Sequence, residues 1–329
     1  MVSIKDVAKE AGVAISTVSK VLNHYPNVSE STKQNVRQAI AKLHYVPNTI
    51  AAALSSKQSG RVALLMNLET QTQAIDEIGM QYLSGAICAA TELEMDVITV
   101  FFSMIQNKPL EEIVRYFQSQ NITGIVIYGI SKKDRILTQL IDSEVFKIVV
   151  VDAPLVNAST SCVWIDYKRA QYDIARKTIT ENHAKRILYL AGKREAYPTN
   201  EQISGIQKLV REQDLTLLIR EGRSSELEAR KLTYQYGAHK DIIVCATDLM
   251  AIGAMKALMD MDIFRPVCGF DGIILMGYVG KQMNTVKQNF YQVSGEAVRE
   301  VHRLMADGQG KNIVLDYNLV RMRYIDIIC

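Results

Sequence analysis

Two short helical stripes separated by one glycine constrain this chain more than any other feature. Ile4, Val7, Ala8 and Ala11 recur at i, i+3, i+4 and i+7, and after Gly12-Val13-Ala14 a second stripe follows with Val18, Val21 and Leu22. Apolar residues at that period line one face of a helix. Ser3 stands where it caps the first turn, with Asp6 at the position from which a capping-box acid reaches back. Gly12 supplies the left-handed residue that turns the chain sharply, and two helices joined this tightly cross at a steep angle. A third helix is predicted from Val28-Ser29-Glu30, with Val36, Ile40 and Leu43 closing a three-helix core and Pro47 ending it.

The second helix carries Ser16, Ser19, Lys20 and Asn23 on the face opposite its apolar stripe. A helix of that width fits the major groove of DNA. Charge is divided unevenly: residues 1–60 hold seven Lys and Arg against three acids, and the remainder of this +3 chain is close to −1. Such asymmetry suits a polyanion at one end. Geometry and charge alone leave DNA binding and plain helical packing both open.

The literal sequence goes further. Ile4-Lys5-Asp6-Val7-Ala8-Lys9-Glu10-Ala11-Gly12-Val13, Ser16-Thr17-Val18-Ser19-Lys20-Val21-Leu22-Asn23, Val28-Ser29 and Tyr45-Val46-Pro47-Asn48 closely resemble the headpiece of the lactose-repressor (LacI/GalR) family of bacterial regulators. The resemblance implies that Ile15, Ser16 and Lys20 face base edges, while Thr17, Ser19, Asn23, Tyr45 and Asn48 touch the sugar-phosphate backbone. Backbone contacts would set register and the first group would choose sequence. It also implies a hinge helix, with Ala51 and Leu54 in the minor groove and Leu54 as the apolar wedge. Two departures stand out. Ala14 replaces the serine that usually caps the second helix, and Ala52 replaces an arginine.

From Arg61 the pattern changes to short apolar runs alternating with helical stretches: Val62–Met66, Val97–Phe102, Ile125–Tyr128 and Ile148–Val151, then Ile187–Ala191, Leu215–Ile219, Ile242–Cys245 and Val267–Phe270. Alternation of this kind predicts parallel, doubly wound sheets, and two series in tandem predict two α/β lobes with a cleft between them. The expected fold is a small all-α helix-turn-helix headpiece over residues 1–46, a hinge over 47–60 and a two-lobe core over 61–329. The N-lobe is expected over about 61–157 plus 289–318, and the C-lobe over about 158–288 plus 319–329. The family resemblance continues more loosely through the core and implies a periplasmic-binding-protein-like effector domain.

The pocket is where the chain departs most from sugar- and purine-sensing relatives. Ile78 and Gly79 stand where an aromatic pair is usual, Gln202 replaces an arginine, Thr247 an asparagine and Ser224 a stacking aromatic; Asp271 remains. Asp76, Tyr197 and Arg223 are further candidates for lining a reshaped cleft. The expected partners are operator DNA, a second copy of the chain in a homodimer, and a small-molecule effector such as a sugar or sugar derivative, with a protein corepressor as the alternative.

No catalytic role or cofactor is expected. Ala191-Gly192-Lys193-Arg194 lacks the first glycine and the Ser or Thr of a phosphate loop, and there is no G-x-S-x-G elbow. The five cysteines and five histidines are scattered without ligand spacing, so no metal is expected. The N-terminus does not read as a leader and no run is long enough to span a membrane, which points to the cytoplasm. A cytoplasmic solute-binding receptor would account for the core but not for residues 1–58.

Overall fold

A computed structural model of the chain describes residues 2–22, 27–43, 45, 61–67 and 77–324. The hinge expected over residues 47–60, with Ala51 and Leu54, lies outside the described residues, as do Asn23, Asn48 and Asp76. The chain divides into two compact units, Met1–Ser59 and Gly60–Cys329.

The first unit contains α1 (Ile4–Ala11), α2 (Ile15–Leu22) and α3 (Glu30–Lys42). The Asp6 carboxylate accepts the Ser3 backbone N–H at 2.8 Å and the Ser3 hydroxyl at 2.7 Å, so the acid half of the capping box is made. Gly12 is left-handed at φ 65°, and the turn it makes closes with Val13 N–H donating to the Ala8 carbonyl at 3.0 Å. Ala14 still starts α2 through its carbonyl, which accepts Val18 N–H at 3.2 Å, but it has no side-chain oxygen to offer. Ser29 does cap α3, accepting Thr32 N–H at 3.3 Å. Val7, Val18 and Val36, one from each helix, are wholly buried at the centre.

The second unit is built on two six-stranded sheets. The first has the order β11 (Asn312–Leu315), β5 (Thr160–Ile165), β4 (Lys147–Val151), β3 (Ile122–Tyr128), β1 (Arg61–Met66), β2 (Val97–Phe101), and every pairing is parallel. Because side chains alternate along a strand, Val62, Leu64 and Met66 enter one core with α4 (Glu77–Glu92) and α11 (Phe290–Met305). Ala63 and Leu65 enter another with α5 (Leu110–Ser119) and α6 (Arg135–Asp142). A sheet buried on both faces explains the unbroken apolar runs in the sequence.

The second sheet has the order β12 (Asn318–Met322), β10 (Met283–Lys287), β9 (Val267–Asp271), β8 (Ile242–Cys245), β6 (Arg186–Ala191), β7 (Thr216–Glu221). It is flanked by α7 (Tyr167–Asn182), α8 (Tyr197–Gln213), α9 (Glu226–Tyr236) and α10 (Asp248–Asp260). Its strands are parallel except β12, which runs antiparallel to β10 and qualifies the all-parallel expectation.

The chain passes between lobes after β5, after β10 and after β11. The sequence-based lobe boundary near residue 157 is therefore corrected to just after Ile165. The run Thr160–Ile165 hydrogen-bonds into the first sheet beside β4, with Ile148 opposite Thr160 and Val151 opposite Val163. The final crossing likewise comes earlier than residue 318, because β12 begins at Asn318 in the second sheet. Helix α8 starts at Tyr197, with Pro198 in its first turn, where proline's missing N–H costs no helical bond.

Candidate nucleic-acid and effector sites

In the first unit, the core contacts of Val18 and Val21 fix the rotation of α2 and turn its other face outward. Ile15 is 45% exposed, Ser16 and Lys20 are exposed, and Thr17 and Ser19 are half-buried at the edges of the ridge. Tyr45 packs against the three-helix core, and its N–H donates to the Ile40 carbonyl at 3.0 Å. The ridge pairs an ammonium with small hydroxyls and one branched aliphatic group. It can donate to phosphate or to guanine O6 and N7, and it can meet a thymine methyl.

In the second unit the chemistry lies where the carboxyl ends of the strands of both sheets meet, as expected for open α/β sheets. Asp152 follows β4 at φ 61°, and Asp271 ends β9 at φ 117°. Both are half-buried non-glycine residues in backbone regions that cost about 1–3 kcal/mol each, a strain typical of functional sites. Asp152 Oδ2 accepts the Tyr82 hydroxyl at 3.0 Å. The Tyr167 hydroxyl faces Asp152 and donates to Gln288 Oε1 at 3.3 Å, and Gln288 Nε2 donates to Asp271 Oδ1 at 3.3 Å. Burial disfavours the charged forms, pushing Asp152 up to about 6 and Asp271 well above the usual carboxylate range.

Aromatic rings wall this seam. Tyr82 lies 4.8 Å from Tyr128 and 5.4 Å from Phe290, while Tyr167 stacks on Phe270 at 5.5 Å. The Tyr128 hydroxyl is tied to Ser294 at 2.5 Å. Two further contacts join the lobes. Glu77 Oε2 accepts Ile274 N–H at 2.8 Å. At another point the 131–134 loop meets the 193–196 loop through a Ser131–Ala196 bridge, a Lys132 N–H to Glu195 carbonyl bond of 2.9 Å and a Lys133–Glu195 ion pair.

The remaining candidates fall in different places. Tyr197 packs against the first lobe, with the Lys132 ammonium 5.6 Å from its ring centre. Gln202 is buried and donates to the Ala246 carbonyl at 3.1 Å, which commits its amide to holding the strand end. Thr247 caps α10, accepting Met250 N–H at 3.3 Å. Arg223 is exposed beside Glu221 at 3.8 Å, and Ser224 follows it, both at positive φ. Gly79 is buried in the first turn of α4.

Sequence reasoning missed Asp152, Tyr82, Tyr128, Tyr167 and Gln288. Asp152 had a usable signal, because it directly follows the apolar run Ile148–Val151, as Asp271 follows Val267–Phe270. The tyrosines sit inside ordinary helix and strand patterns and offered none. Asp248, fully buried, is a structural staple: it accepts Thr285 Oγ1 at 2.7 Å, Gly272 N–H at 2.7 Å and Ile273 N–H at 2.9 Å. Among the described residues no cluster of metal-ligating side chains occurs, and no helix is long and apolar enough to cross a membrane.

Comparison with known proteins reaches both units. Residues 3–48 match the bacterial regulatory proteins of the lacI family, and residues 80–267 match the periplasmic binding proteins and sugar binding domain of the LacI family. Together these define a DNA-binding transcriptional regulator with an effector-type core, rather than an enzyme. The second match alone spans more than half of the chain, and the chain belongs to the lacI family of bacterial regulatory proteins.

Among its relatives, catabolite control protein A of Staphylococcus aureus (strain MRSA252) is 27% identical over 333 residues, covering 97% of both chains. The HTH-type transcriptional regulator RegA of Clostridium saccharobutylicum is 28% identical over 331 residues, with the same coverage. The fold is similar to that of the lac repressor dimer bound to operator and the anti-inducer ONPF, with a TM-score of 0.81 at 22% identity over 98% of this chain and 99% of that one. The transcriptional regulator CelR in complex with cellobiose gives a TM-score of 0.69 at 21% identity, with the same coverage.

Proposed function

We propose that the chain acts as a homodimeric repressor in the cytoplasm, on nucleoid DNA, reading a near-palindromic operator with two headpieces and changing affinity when a small molecule binds between the core lobes. The observation that carries this reading is the exposed ridge of α2, held outward by a formed three-helix core and followed in the same chain by a two-lobed sensor. Ile15, Ser16 and Lys20 read bases; Thr17, Ser19, Asn23, Tyr45 and Asn48 hold the backbone; Ala51 and Leu54 enter the minor groove. A single short recognition helix reads too few base pairs for a genome, which favours two copies.

An apolar face supports the dimer. Met80 at 62% and Ile87 at 53% exposure lie on one side of α4, and Leu275 and Tyr278, at 42% and 57%, lie on the segment reached by Glu77 at the start of that helix. Exposed apolar side chains of this size are candidates for burial against a second copy.

The test is selection of genomic fragments by the purified chain across a salt series. A recurrent palindrome, bound by two chains with a log-log salt slope of about −0.9 per phosphate neutralised, is the expected result. Weak, sequence-blind binding by one chain would overturn the reading. On the selected operator, Lys20→Ala should weaken binding about tenfold to a hundredfold and narrow the gap to operators altered at the contacted base pair, as measured by fluorescence anisotropy. An equal loss on all sequences would reassign Lys20 to phosphate.

The effector is proposed to sit at the seam, held by Asp271; Asp76, Gly79, Tyr197, Gln202, Arg223, Ser224 and Thr247 remain further candidates for contacting it. Sugar derivatives are a natural class to test, given that a similar fold has been crystallised with cellobiose. A protein corepressor is the alternative; operator affinity that responds to a metabolite with no partner protein present would count against it.

A further inference from the structure

The seam is short of hydrogen-bond donors and of positive charge. Asp152 and Asp271 bring two carboxylates, and Gln288 Oε1 adds a further acceptor. Against these stand the hydroxyl protons of Tyr82 and Tyr167, the amide protons of Gln288 and the Asp248 backbone N–H at Asp271. The Tyr167 hydroxyl has one proton for two facing acceptors, Asp152 and Gln288 Oε1. Asp152 Oδ1 is shut off from solvent and, among the described residues, makes no well-formed hydrogen bond.

Nothing cationic among the described residues makes up the difference. The charges that act most strongly on Asp271 are the other carboxylates, Asp248 and Asp152, and among the described residues no ion pair to Asp152 or Asp271 is formed. Lys287 stands opposite Asp271 in the β9–β10 register, but its exposed ammonium acts on Glu77; Lys133 pairs with Glu195, and the Lys132 ammonium lies by the Tyr197 ring. Gln202, where relatives carry an arginine, is spent on the Ala246 carbonyl.

Taking the seam to be the effector site, as above, we propose that its ligand is a small organic cation, an amine or quaternary ammonium seated between Asp152 and Asp271 against the rings of Tyr82 and Tyr167. The cation supplies the countercharge that the two carboxylates lack, an ammonium supplies donors to Asp152 Oδ1 and Gln288 Oε1, and the aromatic faces attract it further. A phosphorylated or carboxylated effector would instead add negative charge to an uncompensated pair, at a cost that grows with burial.

Thermal unfolding of the full chain at pH 7.5 tests this with matched probes: glucosamine against glucose, ethanolamine against ethylene glycol, and choline against its uncharged carbon analogue. An amine should raise the core transition by several degrees where its neutral partner does not, and Asp152→Asn and Asp271→Asn should each weaken its binding at least about tenfold. Because each variant reports its own unfolding transition, loss of binding is separable from loss of fold. If a neutral probe works as well as its amine, and Tyr82→Ala abolishes the response, the seam binds an effector but the cationic class is overturned. A response that no seam substitution alters would remove the effector reading of the seam itself. No response to any amine would overturn the proposal.

Discussion

Replacing Gly253 with valine is expected to lower the stability of the core by about 3 kcal/mol, on the order of 10 °C in its melting temperature. A Cβ built at Gly253 lies 2.1 Å from the Glu226 carbonyl oxygen and 2.9 Å from its carbon. The obstacle is backbone at the start of α9, so no rotamer change relieves it, and α9 and α10 must part. Glycine is a poor helix residue, and its removal alone would gain up to about 1 kcal/mol; the overlap outweighs that gain. Gly12 provides the contrast. It is left-handed at φ 65° with nothing within 4 Å of a built Cβ, so Gly12→Ala should cost only the backbone strain, about 1–2 kcal/mol in the headpiece. Differential scanning calorimetry on both variants checks the pair. An unchanged core transition in Gly253→Val would mean that the close approach of α9 and α10 does not hold in solution.

What could be read from sequence depended on how local the physics was. The headpiece was legible because its helices are set by four-residue periods, a left-handed glycine and two caps, all short-range features. The first lobe boundary was misplaced because Thr160–Ile165 carries polar residues at its start and belongs to the first sheet only through hydrogen bonds to β4 and to β11, about 150 residues further on. The later crossings were expected at 288/289 and 318/319, close to where the chain passes from β10 into α11 and from β11 into β12. The seam was the least legible part. Its tyrosines come from α4, β3 and α7, and no spacing rule connects Tyr82, Tyr128 and Tyr167. Gln202, at the position of an arginine in relatives, donates to the Ala246 carbonyl, a contact that no sequence pattern announces.

The same seam should make core stability fall as pH rises from 5 to 7.5. Asp152 has an ordinary value of 3.8 and is pushed up to about 6 by burial, so over this window the folded chain holds a proton that the unfolded chain has released. A group raised in this way stabilises most fully below its unfolded value, and that contribution is lost as pH passes through the folded one. For Asp152 alone the loss between pH 5 and 7.5 is about 1.4 kcal/mol, and Asp271 and Asp248, also raised by burial, act in the same sense. Asp241, held down to about 2 beside Arg186, contributes stability that is lost only in stronger acid, outside the window. Asp152→Asn keeps an acceptor for Tyr82 and removes the buried titrating carboxyl, so it should flatten the slope and be the more stable protein at pH 7.5. Urea unfolding at five pH values decides the matter, and stability that rises with pH would show both carboxylates charged and compensated in the free protein. An amine bound at the seam would supply that compensation from outside. Its presence should therefore flatten the profile of the unaltered chain while leaving Asp152→Asn largely as it was, which ties the pH dependence and the ligand class to the same two carboxylates.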